Sequence, residues 1–167
     1  MSEATLPDVL RAIRFLEGIT EDELRQIASV AHLAEYPAGK TLFREGERLS
    51  CIFLVVEGSV ALELPVPGRG YQRLHTVGCG ELLGWSPLLR RLPMTATARA
   101  LAPTRVICLD AGQVLALCHH DPRFGFAFMQ RTALALAKRL DATRLQLLDV
   151  YRHELPVIAG DNGGASR

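Results

Sequence analysis

Apolar positions at the start of the chain lie three and four residues apart. Leu6, Val9, Leu10, Ile13 and Leu16 predict an amphipathic helical segment, and Gly18 stops it. Thr20 opens a second helix, TEDELRQIASVAHL, with Glu23 placed to return a hydrogen bond to its cap. Leu24, Ile27, Ala28 and Ala31 are its apolar stripe. The proline and glycine of YPAGK, residues 36–40, end this region.

The texture then changes to short runs separated by turns: TLF, CIFLVV, SVALEL, YQRLHTV, TATARA and TRVICL. SVALEL alternates, with Val60, Leu62 and Leu64 on one face and Ser59, Ala61 and Glu63 on the other. Strands at close, regular spacing punctuated by glycine and proline predict a sandwich or jelly roll rather than βαβ units. From Asp110 the pattern is helical again. DAGQVLALCHH is short, DPRF redirects the chain, and a long helix runs to about Tyr151. Along it Met129, Ala133, Leu136, Leu140, Thr143, Leu147 and Val150 step alternately by four and three, the seam two helices use to pack together. Leu134, Ala137, Leu145 and Leu148 make a second apolar line. Two lines call for two partners, the chain's own barrel and a second copy, so a homodimer through residues 126–151 is expected. Burial of the helix within one domain is the alternative. The expected divisions are helices over 1–35, a barrel over 36–110 with an inserted segment at 78–100, helices over 111–155 and a disordered tail over 156–167.

The 167 residues suffice for one core, and 49% hydrophobic against 22% charged residues argues against general disorder. A net charge of +1 supplies no field to gather nucleic acid. Cys51, Cys79, Cys108 and Cys118 form no CxxC pair, which fits reduced thiols. No signal peptide or apolar run of membrane-spanning length is visible, so a cytoplasmic protein without membrane contact is expected.

The segment GCGELLGWSPLLRRLPMTATARA, residues 78–100, carries the candidate chemistry. Gly78 and Gly80 allow close approach of a ligand to the backbone. If Leu82 and Leu83 open a short helix, their N–H groups make an anion site. Glu81 beside that site suits a ligand offering a hydroxyl next to its phosphate, as ribose does. An acidic residue that merely complements a helix dipole is the competing explanation.

AGKTLFREGE, IFLVVEGSVAL and GELLGW…PMTATARA together resemble the cyclic-nucleotide-binding domain of the catabolite activator protein and of kinase regulatory subunits. The resemblance implies a mainly β, α+β fold: N-terminal helices, an eight-stranded antiparallel jelly-roll barrel and a C-terminal helix pair. It further implies that Gly80, Leu82 and Leu83 offer amides to a cyclic phosphate, that Glu81 holds the ribose 2′-hydroxyl, and that Thr95, followed by Ala96, binds the phosphate. The family arginine falls on Met94, which cannot take that part; Arg90 or Arg91 in the longer loop are the available substitutes. A charge-assisted hydrogen bond contributes about 1.5–3 kcal/mol, so its loss weakens binding roughly 10- to 150-fold. RLDAT, Arg139 to Thr143, resembles the family's central helix, where Thr143 would meet the base.

The expected function is a stand-alone, non-enzymatic sensor of cyclic AMP, cyclic GMP or another small anionic ligand, signalling through a homodimer or an unidentified protein partner. Its alternative is an interaction module whose pocket has lost nucleotide affinity. Sixteen residues follow Tyr151, too few for the helix-turn-helix of the transcription-factor relatives, so no direct DNA binding is expected. A cupin-type metal enzyme needs clustered histidines on strands, and the strand region holds only His75. The neighbours His119 and His120 project in different directions from a helix. No metal, catalytic residue or resident cofactor is expected.

Overall fold

In the computed structural model, which describes residues 5–89 and 92–152, two short helices lead into eight strands and two further helices follow. Helix α1 (Leu6–Arg11), a 3-10 turn (Arg14–Leu16) and α2 (Glu21–Ser29) precede β1 (Ala31–Tyr36), β2 (Thr41–Phe43) and β3 (Cys51–Glu57). Strands β4 (Val60–Val66), β5 (Gly70–Val77) and β6 (Leu82–Leu83) come next. A second 3-10 turn (Ser86–Leu88) leads to β7 (Thr97–Ala100), β8 (Thr104–Asp110), α3 (Ala111–His120) and α4 (Pro122–Val150). The strands form two four-stranded antiparallel sheets, β1-β8-β3-β6 and β2-β7-β4-β5, the order of an eight-stranded jelly roll. Both histidine neighbours, His119 and His120, lie in the last turn of α3. No described helix is long and apolar enough to cross a membrane.

CIFLVV is apolar without alternation because β3 is covered on both faces. Ile52 and Leu54 pack into a cluster with the helices, while Phe53 and Val55 pack between the two sheets. Strand β8 does the same: Ile107 and Leu109 face the helices, Val106 and Cys108 the second sheet. The first sheet is therefore a central layer. Thr20 and Glu23 form the reciprocal cap of α2, with Thr20 N–H donating to Glu23 Oε2 at 2.8 Å and Glu23 N–H to Thr20 Oγ1 at 3.3 Å. The helical spacing overran, however. Helix α2 ends at Ser29, and Ala31, expected on its apolar stripe, begins β1. The six residues of β1 pair with β8 from Ala31–Leu109 to Tyr36–Thr104, and that ladder outweighs the helical period.

Leu82 and Leu83 also differ from expectation. They form a strand, not a helix start, paired as Leu82–Leu54 and Leu83–Phe53. The preceding turn docks on β3, with Gly80 N–H donating to Val55 O at 2.7 Å and Val55 N–H to Glu81 O at 3.0 Å. Extended geometry then sends Leu82 into the helical core and Leu83 between the sheets, both fully buried. The next helical turn starts at Ser86.

Asp121 caps α4 by accepting from Arg123 N–H at 3.0 Å and Phe124 N–H at 3.2 Å, with Pro122 at the first position. The line that the chain's own domain covers is Phe124, Phe128 and Thr132, all buried. Phe128 meets Phe15 edge to face at 5.4 Å. Neither sequence-derived line is covered in its C-terminal half: Leu140 and Leu147 of the first, and Leu145 and Leu148 of the second, are more than half exposed.

Gly58 closes the β3–β4 turn at φ 83°, and a Cβ there would stand 2.5 Å from Pro103 O and 2.9 Å from Thr104 Cα. Gly39 has a similar φ of 80° with open space around it. Both alanine variants carry the left-handed strain of roughly 1–3 kcal/mol; only Gly58→Ala adds a backbone clash. Urea denaturation is expected to show a clearly larger loss for Gly58→Ala, and equal losses would contradict this account of the turn.

Candidate functional site

The Gly78–Glu81 turn joins β5 to β6. Gly80 adopts φ 82°, and a Cβ on it would lie 3.0 Å from Arg14 Cβ and 3.3 Å from Arg14 N. Phe15 N–H donates to Gly80 O at 3.0 Å. The close approach that Gly80 permits is thus that of the N-terminal 3-10 turn. The expectation that the amides of Gly80, Leu82 and Leu83 all face a ligand is corrected here. Gly80 N–H is taken by Val55, and Glu81 N–H points to Gly78 O at 3.3 Å. Antiparallel alternation leaves Leu82 with its N–H and C=O on the open sheet edge, where Arg139 Nη2 donates to the Leu82 carbonyl.

Beside this turn lies a cleft of about 470 Å³, walled by Gly80, Glu81 and Leu82, by His75 of β5, by Arg14, Phe15 and Glu17, and by one stripe of α4. His75 pairs with Leu62, a position packed against the cluster between the sheets. From α4 come Gln130, Arg131, Leu134, Ala135, Lys138 and Arg139, the spacing of adjacent turns on one face. Four cations (Arg14, Arg131, Lys138, Arg139) and two carboxylates (Glu17, Glu81) line it, a formal excess of two positive charges.

Among the described residues none of those four cations forms an ion pair within 4 Å. The arginines are satisfied by backbone carbonyls instead. Arg131 donates from Nη2 and Nε to Glu17 O at 2.5 and 3.2 Å, and Arg14 from Nη2 to Cys79 O at 3.3 Å. Glu81 Oε2 accepts from Gly78 N–H at 2.6 Å. Burial pulls the Arg139 guanidinium down from its ordinary range, and the field of Glu81 opposes that shift.

The sequence-derived residues divide in two. Gly80, Glu81 and Leu82 meet at the cleft; Leu83, Thr95, Ala96 and Thr143 do not line it. Leu83 is core. Met94 is buried against the Phe43 and Phe53 cluster, its N–H donating to Glu47 O and its carbonyl accepting from Gly46 N–H, both at 2.8 Å. That anchoring leaves Thr95 on an exposed bend and Ala96 buried. Thr143 is exposed and donates its hydroxyl to Arg139 O at 2.9 Å. Arg90, Arg91 and the tail over 156–167 lie outside the described residues. Trp85 packs on the helical core. Arg139, Lys138, His75 and Arg14 were missed as site residues. Arg139 carried a signal, since it opens the RLDAT motif; the others carried none, because only folding brings β5, the 3-10 turn and α4 together.

The family model for cyclic nucleotide-binding domains matches residues 33–121. The chain belongs to that family, whose domains are regulatory, and the barrel described above is its β-roll. Among its relatives, a cyclic AMP receptor protein of Thermus thermophilus is 30% identical over 130 residues, 78% of this chain and 58% of that protein. A cyclic nucleotide-gated potassium channel of Mesorhizobium japonicum is 27% identical over 75% of this chain and 33% of its own length. The chain spans between 25% and 58% of the length of the first curated relatives it matches. The solved catabolite activator protein of Thermus thermophilus superposes with a TM-score of 0.67 at 29% identity, covering 83% of this chain and 63% of that one. A cyclic nucleotide-binding domain from Methylobacillus flagellatus shares the fold, with a TM-score of 0.75 over 92% of this chain and 85% of that one at 21% identity.

Burial lowers the His75 imidazole below its usual range, Arg139 adds to that shift and Glu81 opposes it. The unfolded chain therefore binds this proton first. The stability it contributes is complete above about pH 6.5 and is lost as pH falls through the lower folded value. Melting curves between about pH 7.5 and 5 should show Tm falling on acidification, and His75→Gln should flatten part of that fall. An unchanged slope in the variant would remove His75 from the account.

Proposed function

We propose that the cleft beside Glu81 binds a cyclic nucleotide, with cyclic AMP and cyclic GMP the leading ligands, and that α4 passes occupancy to a second copy of the chain or to another protein. One observation carries this reading: Glu81 faces a cleft with excess positive charge while only its Oε2 is engaged. Oε1 can then accept from a ribose hydroxyl, and Arg139 with the edge-facing Leu82 N–H can meet the phosphate. Ligand competing for Arg139 would weaken its bond to Leu82 O and release α4 from the sheet edge, shifting the populations of two helix positions. Movement of the 84–96 segment toward the phosphate would add the Thr95 hydroxyl beside Ala96, with Arg90 or Arg91 entering from the same loop, while Leu83 N–H would join only on opening of its pair with Phe53. Thr143 would reach a base only after α4 shifts. The family's regulatory character supports a ligand sensor rather than a catalyst.

A second reading is an interaction module without nucleotide affinity. The buried thioether of Met94, at the position of the family arginine, and the engaged amides of Gly80 and Glu81 favour it.

Isothermal calorimetry with cyclic AMP and cyclic GMP separates the two. Binding is expected, and Glu81→Ala and Arg139→Gln should each weaken it about tenfold or more. Absence of heat and of a thermal shift at millimolar ligand would favour the second reading; full affinity in Glu81→Ala would displace the site. For signalling, the exposed Leu140, Leu145, Leu147, Leu148 and Val150 of α4 exceed the scattered apolar residues normal on a monomer. Light scattering should give a dimer, and Leu140→Glu with Leu147→Glu a monomer. A wild-type monomer at high concentration would remove the dimer from the mechanism.

A further inference from the structure

The Gly78–Glu81 turn is bracketed by guanidinium groups from two different elements. On one flank Arg14, from the N-terminal 3-10 turn, donates to Cys79 O; on the other Arg139, from α4, donates to Leu82 O. The two carbonyls are three residues apart, at most about 10 Å in an extended chain. Glu81 lies between them in sequence, and all three side chains line the one cleft. Each guanidinium uses a backbone carbonyl as an anchor and keeps most of its N–H donors available, in the planar fork that matches phosphate. Neither forms an ion pair within 4 Å among the described residues, and the two carboxylates of the cleft leave its four cations a formal excess of two positive charges.

We propose that Arg14 forms a second anion subsite, and that the ligand preferred by this cleft is a ribose bearing two separate phosphate groups, at its 3′ and 5′ positions. The proposal rests on the reading that Glu81 holds the ribose hydroxyl. With the sugar gripped at the middle of the turn, its 3′ and 5′ oxygens lead toward opposite flanks. A cyclic monophosphate joins both oxygens to one phosphorus and places one anion on one guanidinium. A 3′,5′-bisphosphate, or a nucleotide within a cyclic dinucleotide, carries an anion toward each. Lys138, next to Arg139, and Arg131, two turns earlier on α4, line the same cleft and raise its positive potential. Glycine at position 80 is what allows this arrangement, because a Cβ there would press on Arg14 Cβ and displace the guanidinium from the turn.

The test compares adenosine 3′,5′-cyclic monophosphate, adenosine 3′,5′-bisphosphate and cyclic di-AMP by calorimetry at fixed ionic strength, on the full chain and on Arg14→Gln and Arg14→Lys, each first checked by thermal melting. The two-phosphate ligands should bind the wild type at least about tenfold more tightly than the cyclic monophosphate. Arg14→Gln should bring that ratio close to one, and Arg14→Lys should keep part of it. Cyclic di-AMP binding as tightly as the bisphosphate supports a bridged dinucleotide as the source, and tight binding of the bisphosphate alone supports a mononucleotide. A ratio near one in the wild type, or a ratio that survives Arg14→Gln, overturns the second subsite and leaves the cyclic-nucleotide reading standing. No binding of any of the three overturns both.

Discussion

The first sheet of this barrel has two apolar faces, and the need to cover both organises everything around the cleft. The second sheet covers one face. The other must be covered by helices, because β3 and β8 direct Ile52, Leu54, Ile107 and Leu109 toward it. Burial of side chains of this size stabilises by about 1.5–3 kcal/mol each, so the four together outweigh any single polar contact in the cleft. The helical layer that meets this demand includes Phe15 and Leu16 of the N-terminal turn and Phe124 and Phe128 of α4. Docking them brings Arg14, Arg139 and the Glu81 turn to one place. The site is a by-product of covering a sheet.

In the proposed function, that origin is what would couple binding to signalling. Leu82 turns its side chain into the core shared with α4 and offers its carbonyl to Arg139 on the same helix. Helix position and edge-strand position are thus linked by packing and by one charge-assisted bond. An anion competing for Arg139 acts on the bond alone, while the packing of Phe124 and Phe128 keeps the first turns of α4 in place. The part of α4 that the proposal would let shift is the C-terminal half, where the exposed leucines are.

Much of the fold could be read from the chain because its local signals agreed with the tertiary outcome. The cap at Thr20 and Glu23, the Asp-Pro start of α4 and the turn glycines answer to forces acting within a few residues. The boundary near Ala31 was lost because a strand ladder with β8, distant in sequence, overrode a helical period. The Leu82–Leu83 pair was misplaced for the same reason: its partners on β3 are nearly thirty residues away. For α4, the sequence shows two apolar lines, but the domain covers another, Phe124, Phe128 and Thr132.

By itself the sequence determined the jelly-roll class and the long terminal helix, and it singled out Glu81 as a candidate, since each depends on short-range pattern or on a motif of adjacent residues. Only tertiary structure decided what surrounds that carboxylate. Met94 went into the core because a thioether gains more there than in water. The cations of the cleft came instead from the N-terminal turn and α4, segments more than a hundred residues apart, whose meeting no local pattern encodes.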